Sequence, residues 1–191
     1  MPSGQAYTKG VRMVKTCVGT DFCRFGVQDS ISAGIEMERR FENLFTPHKV
    51  KMGAVGCPRN CAEATVKDIG LIGQEGSWQV VVGGAAGKSV RKADLLITVE
   101  ATEEALRAAQ LFFQYYREHA NYLERTYDFV ERLGIEKVRK ETVYATEPVQ
   151  RALLERLSKS KALSRDAWLE RETPVHPTQF VQIQPMEDLL A

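Results

Sequence analysis

The stretch Val50-Lys-Met-Gly-Ala-Val-Gly56-Cys57-Pro-Arg-Asn-Cys61 decides how this chain folds around its chemistry. A short apolar run closed by glycine reads as a strand, and Cys57-Pro58 turns it into a loop that returns a second thiol after three residues. Val11-Arg-Met-Val-Lys-Thr16 repeats the device. It alternates in part and ends on Cys17, and Cys23 follows after a loop of five residues. These four cysteines are all the chain has, and both pairs fall in its first third. Two strand ends can aim four sulfurs at one point, which reads as a single metal site. A 4Fe-4S cubane, with thiolates at its corners, suits such loops best. Spacing by itself leaves zinc, disulfides and unliganded thiols open.

Residues 11 to 100 read as alternating strands and helices. Asp29 is a plausible N-cap for a helix through Phe45, because Ile31, Ile35, Met37, Phe41, Leu44 and Phe45 share one broad face; Pro47 marks its end. Ile69 to Ile72, Trp78 to Val82 and Leu95 to Val99 are expected as further strands. Beyond residue 100 the period becomes helical. Thr102 is expected to cap a segment in which Ala105, Leu106, Ala109, Phe112, Phe113 and Tyr116 recur. Tyr122, Phe129, Val130 and Leu133 continue that stripe to Gly134. Residues 136 to 170 read as short charged helices, and Pro174, Pro177 and Pro185 as an irregular tail. The fold class is therefore α+β. A mixed β-sheet covered by helices, residues 1–100, carries the cysteine site, and a mostly helical region, residues 101–191, packs on it.

Thr16-Cys17-x5-Cys23 with Gly56-Cys57-Pro-Arg-Asn-Cys61 resembles the signature of siroheme-dependent nitrite and sulfite reductases. Met1-Pro-Ser-Gly4, Cys23-Arg-Phe-Gly-Val-Gln-Asp-Ser30 and Cys61-Ala-Glu-Ala64 are similar to the large-subunit branch of the assimilatory nitrite reductases. The similarity continues through Tyr115-Tyr-Arg-Glu118 and Tyr122-Leu-Glu-Arg125. It implies that Cys17, Cys23, Cys57 and Cys61 hold a 4Fe-4S cluster and that Cys61 also bridges to siroheme iron. Electrons would pass through the cluster to siroheme, where nitrite is reduced to ammonium. Members of that family are far longer, with FAD- and NAD(P)H-binding domains followed by two related halves that enclose the siroheme. This chain resembles the second half and its tail. The partners implied are the missing N-terminal half, the small subunit and nitrite itself. The cations that hold nitrite come largely from the missing half, so no catalytic residue is expected here and the chain alone should not turn over. A siroheme sulfite reductase is the nearest alternative, ahead of a stand-alone 4Fe-4S carrier and a structural zinc module.

Four cysteinates leave a cluster net negative, and amide N–H donors and nearby cations moderate that charge. Gly19, Gly26, Gly53 and Gly56 would let backbone approach the sulfurs. Arg24 and Arg59 flank ligand positions; each either meets the cluster or siroheme carboxylates, or points to solvent. Asn60 is either a hydrogen bonder to the shared thiolate or a turn former. Lys88, with Arg91 and Lys92, follows a glycine loop and is expected either to meet siroheme carboxylates or to sit in a solvated turn. Gly83-Gly-Ala-Ala-Gly87-Lys88-Ser89 is not a P-loop, because the required first glycine falls on Val82, and no Gly-x-Gly-x-x-Gly occurs. His48, His119 and His176 have no partner at metal-ligand spacing.

Composition is that of a folded body without a nucleic-acid surface: 43% hydrophobic, 27% charged, net charge +1. No apolar run approaches the roughly 20 residues of a membrane span, and the N-terminus lacks a signal-peptide core. The cytoplasm suits reduced, metal-binding thiols.

Overall fold

Met52-Gly-Ala-Val55 is buried at every position, which requires a strand covered on both faces. The computed structural model describes residues 10–165 and 172–174 and bears this out. Met1-Pro-Ser-Gly4, His176, Pro177 and Pro185 lie outside the described residues. In chain order the first elements are β1 (Lys15–Thr16), α1 (Gly19–Phe22), α2 (Ser30–Phe41) and β2 (Met52–Val55), followed by a 3-10 turn at Ala64–Val66. Then come β3 (Ile69–Gln74), β4 (Ser77–Val82), β5 (Ala85–Ala86), β6 (Val90–Arg91) and β7 (Asp94–Val99). The helices α3 (Thr102–His119), α4 (Thr126–Leu133), α5 (Ile135–Glu141) and α6 (Glu147–Leu163) complete the described chain.

The main sheet runs β1-β2-β3-β4-β7, and β5-β6 is a separate hairpin. β1, β2 and β3 are parallel, whereas β3, β4 and β7 are antiparallel, so the sheet is mixed. Parallel neighbours need a crossover, and α2 supplies it between β1 and β2. Asp29 caps α2 as expected, its carboxylate accepting from the Ser32 amide at 2.9 Å. Gly34 faces Thr16 so closely that a Cβ there would collide with the threonine methyl, which holds α2 down on β1.

Alternation along the strands separates two faces. On one face Met52, Ala54, Ile69, Leu71, Val80 and Val82 join Met37, Phe41, Phe112 and Phe113 in the main core. On the other, Val55, Ile72 and Val81 pack with Ala62, Ala64 and Ala93 next to Cys17. The cysteine loops thus lie on the face that the long helices leave uncovered. α3 is fastened to the sheet by the Trp78 indole N–H, which donates to Thr102 Oγ1 at 3.1 Å. That hydroxyl is therefore not a cap. Ala101 precedes the helix, and its amide donates to Glu104 at 3.2 Å.

Several expected boundaries move. α2 stops at Phe41 and not Phe45, because Asn43 takes a left-handed conformation (φ 64°) and turns the chain; Leu44 still reaches the core, while Ile35 and Phe45 are exposed. β1 is short, and Val11 joins Val50 only through an isolated bridge. The stripe after α3 is broken at residues 120–125, where Leu123 has φ 66° and Tyr122 is exposed. In place of only short helices after residue 136, α6 runs for 17 residues, burying Leu153 and Leu157 in the main core. Among the described residues, no helix is long and apolar enough to cross a membrane.

Candidate metal centre

Thr16 pairs with Ala54 across the β1–β2 seam, and the Cys17 amide donates to the Ala54 carbonyl at 3.2 Å. Cys17 therefore leaves the sheet where β2 is about to deliver Gly56 and Cys57. The two loops are then stitched together at Gly56. Its carbonyl accepts from Val27 and Gln28 at 2.8 and 3.0 Å, and its own N–H donates to Cys17 Sγ at 3.2 Å. A Cβ on Gly56 would stand 2.6 Å from the Gln28 carbonyl oxygen, so only glycine lets the strands and loops meet here.

All four thiols are free. Cys57 is buried, Cys17 and Cys23 are half-buried and Cys61 is exposed. Cys17 has the most developed surroundings. Burial opposes its thiolate, but the Gly56 amide, the Ser30 hydroxyl and the amides of Gly19 and Cys17 outweigh it and hold the thiol below its ordinary pKa. Ser30 Oγ lies 3.2 Å from Cys17 Sγ and also donates to the Cys17 carbonyl at 3.0 Å. Since Ser30 opens α2, the sulfur lies at a helix N-terminus, where negative charge is favoured.

Arg24 and Arg59 converge on one ring. Their guanidinium carbons stand 4.6 and 3.8 Å from the Phe25 centroid, so Phe25 links the Cys23 loop to the Cys57 loop. Neither guanidinium donates a hydrogen bond to a described residue, so their N–H groups remain for an anion. Asn60 serves as a turn former: at φ 57° its side chain donates to Thr65 Oγ1 at 2.6 Å and accepts from the Thr65 amide at 3.2 Å. Ser30, Phe25 and Thr65 escaped the sequence reading, because nothing local marks a residue whose partner lies on another loop. Only the capping position of Asp29 hinted that Ser30 begins a helix.

Lys88 is not brought to the cysteines. It sits at the tip of the β5–β6 hairpin and shares a cavity with Lys49 and Lys51, which precede β2, whereas Cys57 follows it. Arg91 instead anchors the hairpin, donating to the Gly83 carbonyl at 2.7 Å and to Asp94 at 2.6 Å. His48 accepts from the Lys49 amide at 2.8 Å and His119 stacks on Tyr115 at 4.3 Å, so both have structural roles. Among the described residues, no three Cys, His, Asp or Glu side chains are grouped to hold a single metal ion. The donor set on the two loops is nonetheless all-thiol, supplied with N–H donors and flanked by arginine. That chemistry fits an iron–sulfur cluster. Beside the loop, Pro58, Ile72, Val81 and Leu95, together with the polar Gln79 and Lys92, line a half-open cavity of about 560 Å³.

Comparison with known proteins agrees. Residues 7–150 match the family described as the nitrite and sulphite reductase 4Fe-4S domain. The chain is 49% identical over 169 residues to a nitrite reductase [NAD(P)H] of Bacillus subtilis, covering 88% of this chain and 21% of that protein. It is 36% identical over 181 residues to the nitrite reductase (NADH) large subunit of Escherichia coli, covering 93% of this chain and 21% of that protein. The chain thus spans about a fifth of the length of these relatives. A crystal structure of dissimilatory sulfite reductase I superposes with a TM-score of 0.66 at 13% identity, over 75% of this chain and 55% of that one, which shows a shared fold.

Proposed function

Because this chain belongs to the nitrite and sulphite reductase 4Fe-4S domain family, we propose that it is the cluster- and siroheme-bearing part of an NAD(P)H-dependent nitrite reductase. The observation that carries this reading is the β1–β2 seam, which places both cysteine pairs at one end of two adjacent parallel strands. Cys17, Cys23, Cys57 and Cys61 would hold the cluster. Cys61, the exposed member of its pair, is the thiolate available to be shared with siroheme iron. When bound, the two groups would supply electron transfer and the reduction of nitrite to ammonium. The chain's own part is to fix the thiolates, to donate the Gly56 N–H to Cys17 Sγ and to balance the negative charge. Arg24 and Arg59 offer free guanidinium edges to the cluster or to siroheme carboxylates, and the cavity beside Pro58, with Ile72, Val81 and Leu95 next to Gln79 and Lys92, offers a mixed apolar and polar wall to a macrocycle edge.

Electrons would arrive from FAD- and NAD(P)H-binding parts of a longer polypeptide, with a small subunit as partner and the cytoplasm as setting. Nitrite is favoured over sulfite because the relatives of high identity bear that name. The test is anaerobic reconstitution with iron and sulfide, read by spectrum and metal analysis, on the wild type and on four Cys→Ser variants. Each variant should lose iron. In the intact polypeptide, Cys61→Ser should abolish ammonium production from nitrite. Unchanged iron in all four variants, or stoichiometric zinc on an iron-free chain, would overturn the reading.

A further inference from the structure

At the opposite end of β2 from Cys57 lies a cavity of about 370 Å³, walled by the start of β2, the start of β3 and the β5–β6 hairpin. Lys49, Lys51, Lys67, Lys88 and Arg125 all line it, against one carboxylate, Asp68. That carboxylate is already spent. It is buried, accepts twice from Arg125 Nη2 at 2.9 Å, accepts from the Lys51 amide at 2.8 Å, and takes the hydroxyl of Thr126. Of the four lysines that line it, Lys67 alone has an ion pair, with Glu63 at 3.2 Å.

Arg125 supplies a second observation. Its guanidinium carbon lies 5.8 Å from the Tyr127 ring centroid and its Nη2 is committed to Asp68, yet its Nε is buried with no hydrogen-bond partner. A buried guanidinium N–H left without an acceptor is costly, and here it borders a cavity rich in like charge. Convergence of cations on one concavity costs free energy by repulsion unless an anion relieves it. His48 reports the same field, since burial and the charges of Arg125 and Lys49 lower its pKa. The hairpin is fixed at its base, where Gly83 and Gly84 donate to the Asp68 and Lys67 carbonyls at 3.0 and 2.9 Å, while residues 86–90 at its tip are exposed. Lys88 can thus close over whatever occupies the cavity.

We propose that Lys49, Lys51, Lys67, Lys88 and Arg125 form an anion site, separate from the cysteine centre, for a small ligand with two or more closely spaced negative charges. A phosphate group and a polycarboxylate share this chemistry, and the volume suits a ligand of that size.

The test is titration calorimetry on the 191-residue chain at low ionic strength, with pyrophosphate in one arm and citrate in the other. Binding of pyrophosphate alone assigns a phosphate ligand, binding of citrate alone a carboxylate ligand, and binding of both the charge motif itself. Lys51→Gln and Lys88→Gln should each weaken binding about tenfold. Lys88 is exposed at a hairpin tip, so its variant leaves the fold intact. Lys140→Gln, on α5, and Cys61→Ser should leave affinity unchanged, the latter keeping this site distinguishable from the siroheme reading. No binding of either probe at millimolar concentration would overturn the proposal. So would wild-type affinity in Lys88→Gln, or equal loss in Lys140→Gln or Cys61→Ser.

Discussion

The Gly56 amide donates to Cys17 Sγ across 3.2 Å, so the residue that introduces the second cysteine pair already serves the first. One backbone group ties the ligand loops together before any metal is considered.

Gly56→Ala should damage both loops at once. Its Cβ would press on the Gln28 carbonyl and, at 2.9 Å, on Gly19 Cα, and neither backbone atom can move cheaply. We expect a loss of about 1–3 kcal/mol in urea unfolding, with iron uptake falling in parallel. Wild-type stability in the variant would refute the close approach.

In the reduced, iron-free chain, Cys17 should make stability depend on pH. Its folded pKa lies below the ordinary value of 9.0, so its stabilising contribution is complete above about pH 9 and is lost as pH falls through the folded value. The stability gap between the wild type and Cys17→Ser should therefore widen from pH 7 to pH 9. A gap that is flat or narrows with pH would contradict the amide and hydroxyl bonds to the sulfur.

Asp68→Ala would leave the guanidinium of Arg125, whose side chain is 18% exposed, without its counter-ion. We expect a cost of about 3–5 kcal/mol in denaturant midpoint analysis. Asp68→Asn should recover part of it by accepting from Thr126 and the Lys51 amide. Equal losses in both would mean that charge alone matters.

Phe25→Ala removes the ring shared by Arg24 and Arg59. Global stability should drop by only about 1 kcal/mol, since Phe25 is 41% exposed. Hydrogen exchange should nevertheless rise at residues 17–28 and 57–64 while α3 stays protected. Uniform exchange changes across the chain would show that the ring does not link the loops.

The cysteine loops were legible because Gly-Cys-Pro after an apolar run is a local signal, and the Asp29 cap was legible for the same reason. The strands that begin at or next to Ile69, Trp78 and Leu95 followed from β-branched and aromatic runs. Boundaries failed where a single left-handed residue intervened. Asn43 and Leu123 end apolar periodicities that the sequence alone would continue. Ser30, Phe25 and Thr65 were invisible for another reason: each acts on a partner brought near by the fold. The position of Lys88 was open in the sequence, because a glycine-rich hairpin can fold toward either end of a strand. Only the anchoring of Gly83 and Gly84 to residues 67 and 68 decides which.

Residues 39 apart close the β1–β2 seam, with the whole of α2 between them. Closing so long a loop is slow compared with helix formation, and contacts of high sequence separation form late. During synthesis the chain therefore presents two unrelated dithiols, and the proposed four-thiol site can form only once the crossover helix has docked. Refolding in the presence of iron and sulfide should show metal uptake lagging behind the helical signal; simultaneous appearance would contradict this order. Cofactor maturation is in that case a quality check, since only a correctly threaded chain can be loaded.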